Sequence, residues 1–239
     1  MSQPFVQPSA SEPFFDRPLQ AARALLPLAQ LLSSAQASPK NVDADRLAGA
    51  RLLHDRVRDE LRFGWGMHFW DEPPAETWIR GLGYSVTKSA VLVRLLREAG
   101  YAARLVFAEV DARLFGGILE PGTPYLDHAY VVIDGPDGPI AFDSHILDRP
   151  FFRAAQARLR AQGRTAGWGT HRDGTDVFPG FSQFVPALRG RVWGSFEDAR
   201  QFYDRTEGAW NRVPWLVRLG FGAVVAGANA RVARLRRHG

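Results

Sequence analysis

The chain has 239 residues, enough for one large domain, and 46% hydrophobic residues supply a core, which excludes an intrinsically disordered chain. Its formal net charge is +5, but Lys40 and Lys88 are the only lysines, and the arginines are scattered save for Arg231, Arg234, Arg236 and Arg237 near the end. That pattern lacks the basic stripe with interleaved aromatics of a nucleic-acid binder, and the absence of cysteine excludes disulfides, thiolate chemistry and Cys-ligated zinc, with a cytoplasmic location the expectation.

In chain order, residues 1–16 read as a loose polar leader without the basic-then-apolar pattern of a signal peptide. Pro18 to Leu32 has helical spacing, and Asp43 to Arg62 is a second helix with Leu47, Leu52, Val57 and Leu61 as its apolar face. His54 reads as an ordinary residue of that helix. An aromatic loop follows over residues 63–70, and Ala75 to Arg80 is a short helical turn stopped by Gly81. A helix opens at Ser85 and ends before Gly100. Its interior, Ala90 to Leu96, is apolar on most sides, so Val91, Leu92, Leu95 and Leu96 are expected in the core.

Tyr101 to Val110 and Leu126 to Ile133 are strands, and residues 134–138 are turn chemistry returning into a strand from Ile140 to Phe142. Pro150 to Gln162 is helical, Gly163 to Ser195 is a long Gly-rich and aromatic loop, and Glu197 to Thr206 and Val213 to Arg237 are closing helices. The four late arginines would then offset a helix dipole. The most apolar stretch, Trp215 to Ala228, is broken by Arg218 and falls short of the ~20 residues a bilayer span needs. No membrane span is expected. The pattern predicts an α+β fold: a buried helix on an antiparallel sheet, with helices added at both ends.

Three positions stand out for chemistry. Ser85 opens the buried helix, where the positive end of the dipole favours developing negative charge. His128 lies on the first strand of the hairpin and Asp143 at the end of the second. A hairpin can set them side by side, the carboxylate fixing the imidazole's tautomer and orientation.

The run from Glu76 to Arg104, with Gly83-Tyr84-Ser85 opening its helix and Leu95-Leu96-Arg97 near the end, resembles the transglutaminase-like (papain-like) superfamily. There a Gly-x-Cys segment starts a helix ending in Leu-Leu-Arg-x-x-Gly-Ile-Pro-Ala-Arg. Asp127-His128-Ala129-Tyr130 resembles the family's His-Ala-Trp strand, and Ala141-Phe142-Asp143 its strand ending in the third catalytic residue. The resemblance covers residues 75–147. It implies a single domain with a leader and helix over 1–43, a transglutaminase-like core over 44–150 and a C-terminal extension over 151–239. It also implies acyl transfer, or hydrolysis of an amide, ester or thioester, with Ser85 as nucleophile, His128 as base then acid, and Asp143 orienting His128.

The departure is Ser85, which stands where the family carries cysteine. A hydroxyl is a far weaker acid than a thiol and must lose its proton to His128 during attack. Three readings follow: a natural serine triad, a fold turned to other chemistry or to binding alone, or a serine introduced for a cysteine. General acid–base chemistry by His128 and Asp143, such as a cyclisation or isomerisation without a covalent intermediate, is a further alternative.

Trp65, His68, Trp70, Trp78, Tyr84 and Tyr130 are candidates to border a substrate, although any one aromatic is more ordinarily core packing. Lys88 completes Ser85-Val86-Thr87-Lys88, the S-x-x-K pattern of serine β-lactamases, but no downstream K-T-G or S-D-N accompanies it. Asp143 and His145 lack a helper set for a metal, so neither metal nor cofactor is expected. The expected partner is a small-molecule, peptide or acyl substrate.

Overall fold

The computed structural model describes residues 42–66, 69–120, 122–135, 137–178, 191–205 and 220–238. The expected leader, the Pro18–Leu32 helix, His68 and the start of the last helix before Gly220 lie outside the described residues.

Helix α1 spans Val42–Glu60. Its inward face is Ala50, Leu53, His54, Val57 and Arg58, with Leu61 just beyond, a three-and-four spacing that keeps one stripe facing inward. Leu52, expected on that face, is 39% exposed. Leu53 takes its place because the stripe runs through Leu47, Ala50 and Val57 and leaves Leu52 to one side.

Strand β1 (Arg62–Phe63) pairs in parallel with β2 (Leu82–Gly83). Between them lies α2 (Pro74–Arg80), which begins with proline at its first turn and stops at Gly81, where φ is +66°. Helix α3 (Ser85–Glu98) follows at once. Thr87 Oγ1 accepts from the Tyr84 N–H at 3.1 Å, meeting a polar group at the helix start. At the other end Gly100 has φ +86°. Its N–H reaches Arg97 O at 3.0 Å and the Tyr101 N–H reaches Leu96 O at 2.9 Å, a Schellman closure that glycine makes without strain. Val91, Leu92, Leu95 and Leu96 are all 0% exposed. Truncating any of these leucines to alanine would cost about 2–5 kcal/mol.

Strands β3 (Ala103–Asp111), β4 (Tyr125–Gly135) and β5 (Gly138–Phe142) form the antiparallel sheet read from the sequence. Two short strands, β6 (Ala166–Gly167) and β7 (Thr170–His171), make a separate ribbon. The expected loop over 163–195 also hides β8 (Val192–Phe196), which pairs antiparallel with β3 and makes the sheet order β5-β4-β3-β8. The C-terminal part is thus no mere extension, since it completes the central sheet. Gly194, with φ +106°, interrupts the β-forming run beside a register shift at Phe107 and Ala108, so the sequence resembles a loop.

Helix α3 packs on β3 and β4 and is flanked by α1 and α2. Helix α4 (Arg149–Ala161) begins at Asp148, whose Oδ1 accepts from the Phe151 N–H at 3.2 Å. Helix α5 (Ala199–Arg205) lays Phe202 on Phe107, ring centroids 3.9 Å apart. Helix α6 (Phe221–His238) runs along α4. Arg236 of α6 grips Asp148 through Nη2 at 2.6 Å and Nε at 3.1 Å and donates to Phe63 O. That arginine is a tertiary clamp, not only a charge offsetting the helix dipole as its sequence position had suggested. The protein is therefore α+β, with one apolar cluster running from Ala50 to Val232. No described helix is long and apolar enough to cross a membrane.

Candidate active site

Ser85 occupies the first turn of α3 and is 4% exposed. His128 lies within β4 and is 2% exposed. Both line one small pocket, walled also by Phe63, Tyr84, Leu114 and Ile146. Nucleophile and base candidates 43 residues apart in sequence, 85 against 128, thus border the same small space.

Ser89 helps set this geometry. It lies four residues after Ser85, hence on the same side of α3. Its Oγ donates to Ala129 O at 3.0 Å, fastening α3 to β4 directly beside His128.

Asp143 follows the last residue of β5 and is 0% exposed. Val131 pairs with Phe142, so one further step along that register sets Asp143 across from Tyr130. Opposed residues share a face, as do residues two apart on one strand. His128 and Tyr130, two apart on β4, share a face, and the Asp143 charge acts on Tyr130. The His128 and Tyr130 rings stand 6.1 Å apart. Burial and then the Asp143 charge hold the Tyr130 phenol above its ordinary pKa.

Burial lowers the His128 pKa to about 3. The ring is neutral at neutral pH, as a general base must be. The same burial opposes the imidazolium that proton transfer creates, so an orienting carboxylate has a defined task.

The turn carrying Asp143 is clamped twice. His54 Nε2 lies 2.8 Å from Ser144 Oγ, and His54 Nδ1 lies 2.8 Å from Asp55 Oδ1. His145 Nε2 lies 3.1 Å from Ser89 Oγ. Since the Ser89 hydroxyl proton goes to Ala129 O, His145 donates from Nε2. His54 donates from Nδ1 to the carboxylate and accepts the Ser144 hydroxyl. Burial depresses the pKa of both histidines, opposed at His54 by Asp55. His54, expected to be an ordinary helix residue, is instead buried and couples α1 to this turn. The sequence carried one signal for it: its place at the three-and-four spacing of Ala50 and Val57.

Lys88 does not face the nucleophile. It is 0% exposed, with Nζ 2.7 Å from Leu61 O and 3.4 Å from Arg58 O. It closes the C-terminal end of α1, and the S-x-x-K reading fails on this geometry. Burial lowers its pKa to about 7.

On the other side Ser85 opens into a larger cleft of about 560 Å³, within the usual range for ligand sites. Trp65 and Tyr84 line it, with Trp65 stacked on Tyr84 at 6.1 Å. Trp70 and Trp78 are not among the lining residues. Trp70 stacks on Tyr203 at 4.7 Å and Trp78 packs against the core. Tyr130 also lines neither cavity. Sequence reasoning missed the remaining walls: Phe69, the turn bearing Phe115 and Leu119, Leu126 and Asp127 entering β4, Tyr203, and the α6 face of Phe221, Val224, Gly227 and Arg231. The spacing of that last set, at 221, 224, 227 and 231, is a helical stripe visible in sequence.

Among the described residues, no cluster of His, Cys, Asp or Glu has the arrangement to hold a metal ion. No family model matches this sequence. No curated protein matches it either.

Proposed function

We propose that the protein is an acyltransferase or hydrolase built on a transglutaminase-like core, using Ser85 as nucleophile, His128 as base and Asp143 as orienting carboxylate. One observation carries this reading: Ser85 and the buried His128 share a small pocket, and Ser85 alone of the two also lines the adjoining cleft. A reacting carbonyl in the cleft can thus meet the hydroxyl while the imidazole stays shielded from solvent. The helix–sheet arrangement, with α3 packed on the strand bearing His128, supports the resemblance noted in the sequence.

The chemistry follows from the positions. Ser85 Oγ attacks the carbonyl carbon while its proton passes to His128. The Ser85 N–H and the positive end of α3 stabilise the oxyanion. His128 then protonates the departing alcohol, amine or thiolate, leaving an ester on Ser85. Water or an acceptor activated by His128 displaces it. Serine suits this path because a neutral imidazole is the resting form, whereas a cysteine site rests as an ion pair.

The test is an activated ester, p-nitrophenyl butyrate, followed by intact mass. An added butyryl group mapped to Ser85, lost in Ser85→Ala and slowed in His128→Ala, is the expected result. Turnover that persists in Ser85→Ala would select acid–base chemistry without a covalent intermediate.

A further inference from the structure

Resting on that reading, we infer that the cleft beside Ser85 is an acyl-chain site, so the group transferred is a straight aliphatic acyl group rather than a polar peptide side chain. Trp65, Phe69, Phe115, Leu119, Leu126 and Phe221 present rings and branched carbons to a space of about 560 Å³. A polar side chain placed there would lose its water with few groups to replace it. An alkyl chain would gain about fourfold in affinity for each methylene buried.

The charged groups agree with this arrangement. Glu120, Asp127 and Arg231 also line the cleft. Arg231 Nη1 is engaged with Ile118 O at 2.9 Å. Two carboxylates against one guanidinium, itself partly held by Ile118 O, make a poor seat for an anionic end group, so the occupant is an uncharged chain whose carbonyl end lies at Ser85.

Helix α6 supplies the means of testing it. Gly227 lines the cleft, and a Cβ added there meets nothing within 4 Å. A glycine within a helix gains stability from a side chain. Gly227→Leu therefore adds four carbons at the cleft wall without straining the backbone.

The experiment reads binding separately from catalysis. Straight primary alcohols from butanol to dodecanol are titrated against anilinonaphthalene sulfonate fluorescence on the full chain. In parallel, acylation by p-nitrophenyl acetate, butyrate and octanoate is followed by intact mass. Alcohol affinity is expected to rise about fourfold per methylene until the cleft is full. Gly227→Leu should weaken dodecanol by tenfold or more and lower the octanoate-to-acetate acylation ratio by a similar factor, roughly the worth of a few lost methylene contacts. Val224→Trp, from the same face, should act in the same direction. Affinity flat with chain length, or unmoved in both variants while their circular dichroism matches the parent, overturns the acyl-chain site. In that case acetate acylation of Ser85 would still leave the nucleophile standing. Chain-dependent binding without any acylation of Ser85 would instead retain the cleft and remove the enzyme reading.

Discussion

Ser89 Oγ and His145 Nε2 lie 3.1 Å apart in the interior, joining the helix that Ser85 opens to the turn that follows Asp143. The same hydroxyl holds Ala129 O at 3.0 Å, next to His128. One side chain thus ties together the three elements from which the proposed triad is drawn. Ser89→Ala leaves the His145 N–H and one carbonyl lone pair buried and unmet, at a cost of about 1–3 kcal/mol. Denaturant unfolding should show a lower midpoint with an unchanged slope. Under conditions where the variant stays folded, Ser85 acylation should also slow and its pH profile should shift, which a purely structural bond would not produce.

Acid should destabilise the fold from an unusually high pH. His54, His128 and His145 all have folded pKa values below the ordinary 6.5, His128 at about 3. The unfolded chain takes up these protons as pH falls through 6.5, while the folded chain refuses them until far lower. Their stability contribution is complete above 6.5 and declines toward pH 3. Urea midpoints measured from pH 8 to pH 4 should fall steadily below 6.5, and His145→Gln should flatten that fall. A midpoint constant down to pH 4 would mean that the buried imidazoles are accessible to protons.

The rate profile should differ from the stability profile. With the His128 pKa near 3, kcat/KM for an ester should show no acid limb near 6.5 while the protein remains folded, because that quantity reports the free enzyme's ionisations. A clean inflection near 6.5 in protein shown to be folded would place the base in a more hydrated setting than this cavity.

Lys88 predicts the opposite end of the pH scale. Its folded pKa of about 7 lies below the ordinary 10.5 because it is buried. Between those values the unfolded chain holds a proton that the folded chain has released, so stability from this group rises with pH across the window. Lys88→Met removes that slope. The difference in unfolding free energy between parent and variant should therefore change from pH 7 to pH 10. A pH-independent difference would show that Lys88 stays charged on the carbonyls of Leu61 and Arg58.

Much of this was legible in the sequence, for identifiable reasons. The order of helix, strand and strand placed Ser85, His128 and Asp143, and Gly81 and Gly100 marked helix ends through left-handed φ. Elements whose evidence is local were found. What escaped depends on distant partners. His54 is buried against Ser144, 90 residues away, whose hydroxyl donates to its Nε2. Lys88 is buried because the end of α1 presents carbonyls to it. The cleft draws its walls from five separate stretches of the chain: Trp65 and Phe69, Tyr84 and Ser85, the run from Phe115 to Asp127, Tyr203, and the run from Phe221 to Arg231. Strand β8 was missed because Gly194 breaks its pattern, and only pairing with β3 reveals it.

The central claim is that Ser85 is a nucleophile activated by His128. A fluorophosphonate probe tests it most directly, because phosphonylation requires an activated hydroxyl and leaves a stable adduct readable by intact mass and peptide mapping. One adduct on Ser85, absent in Ser85→Ala and slowed at least tenfold in His128→Ala, roughly the lower bound of a general base's contribution, is the predicted result. No adduct on folded protein with the cleft open to probe, or labelling at Ser85 equally fast in His128→Ala, would contradict it.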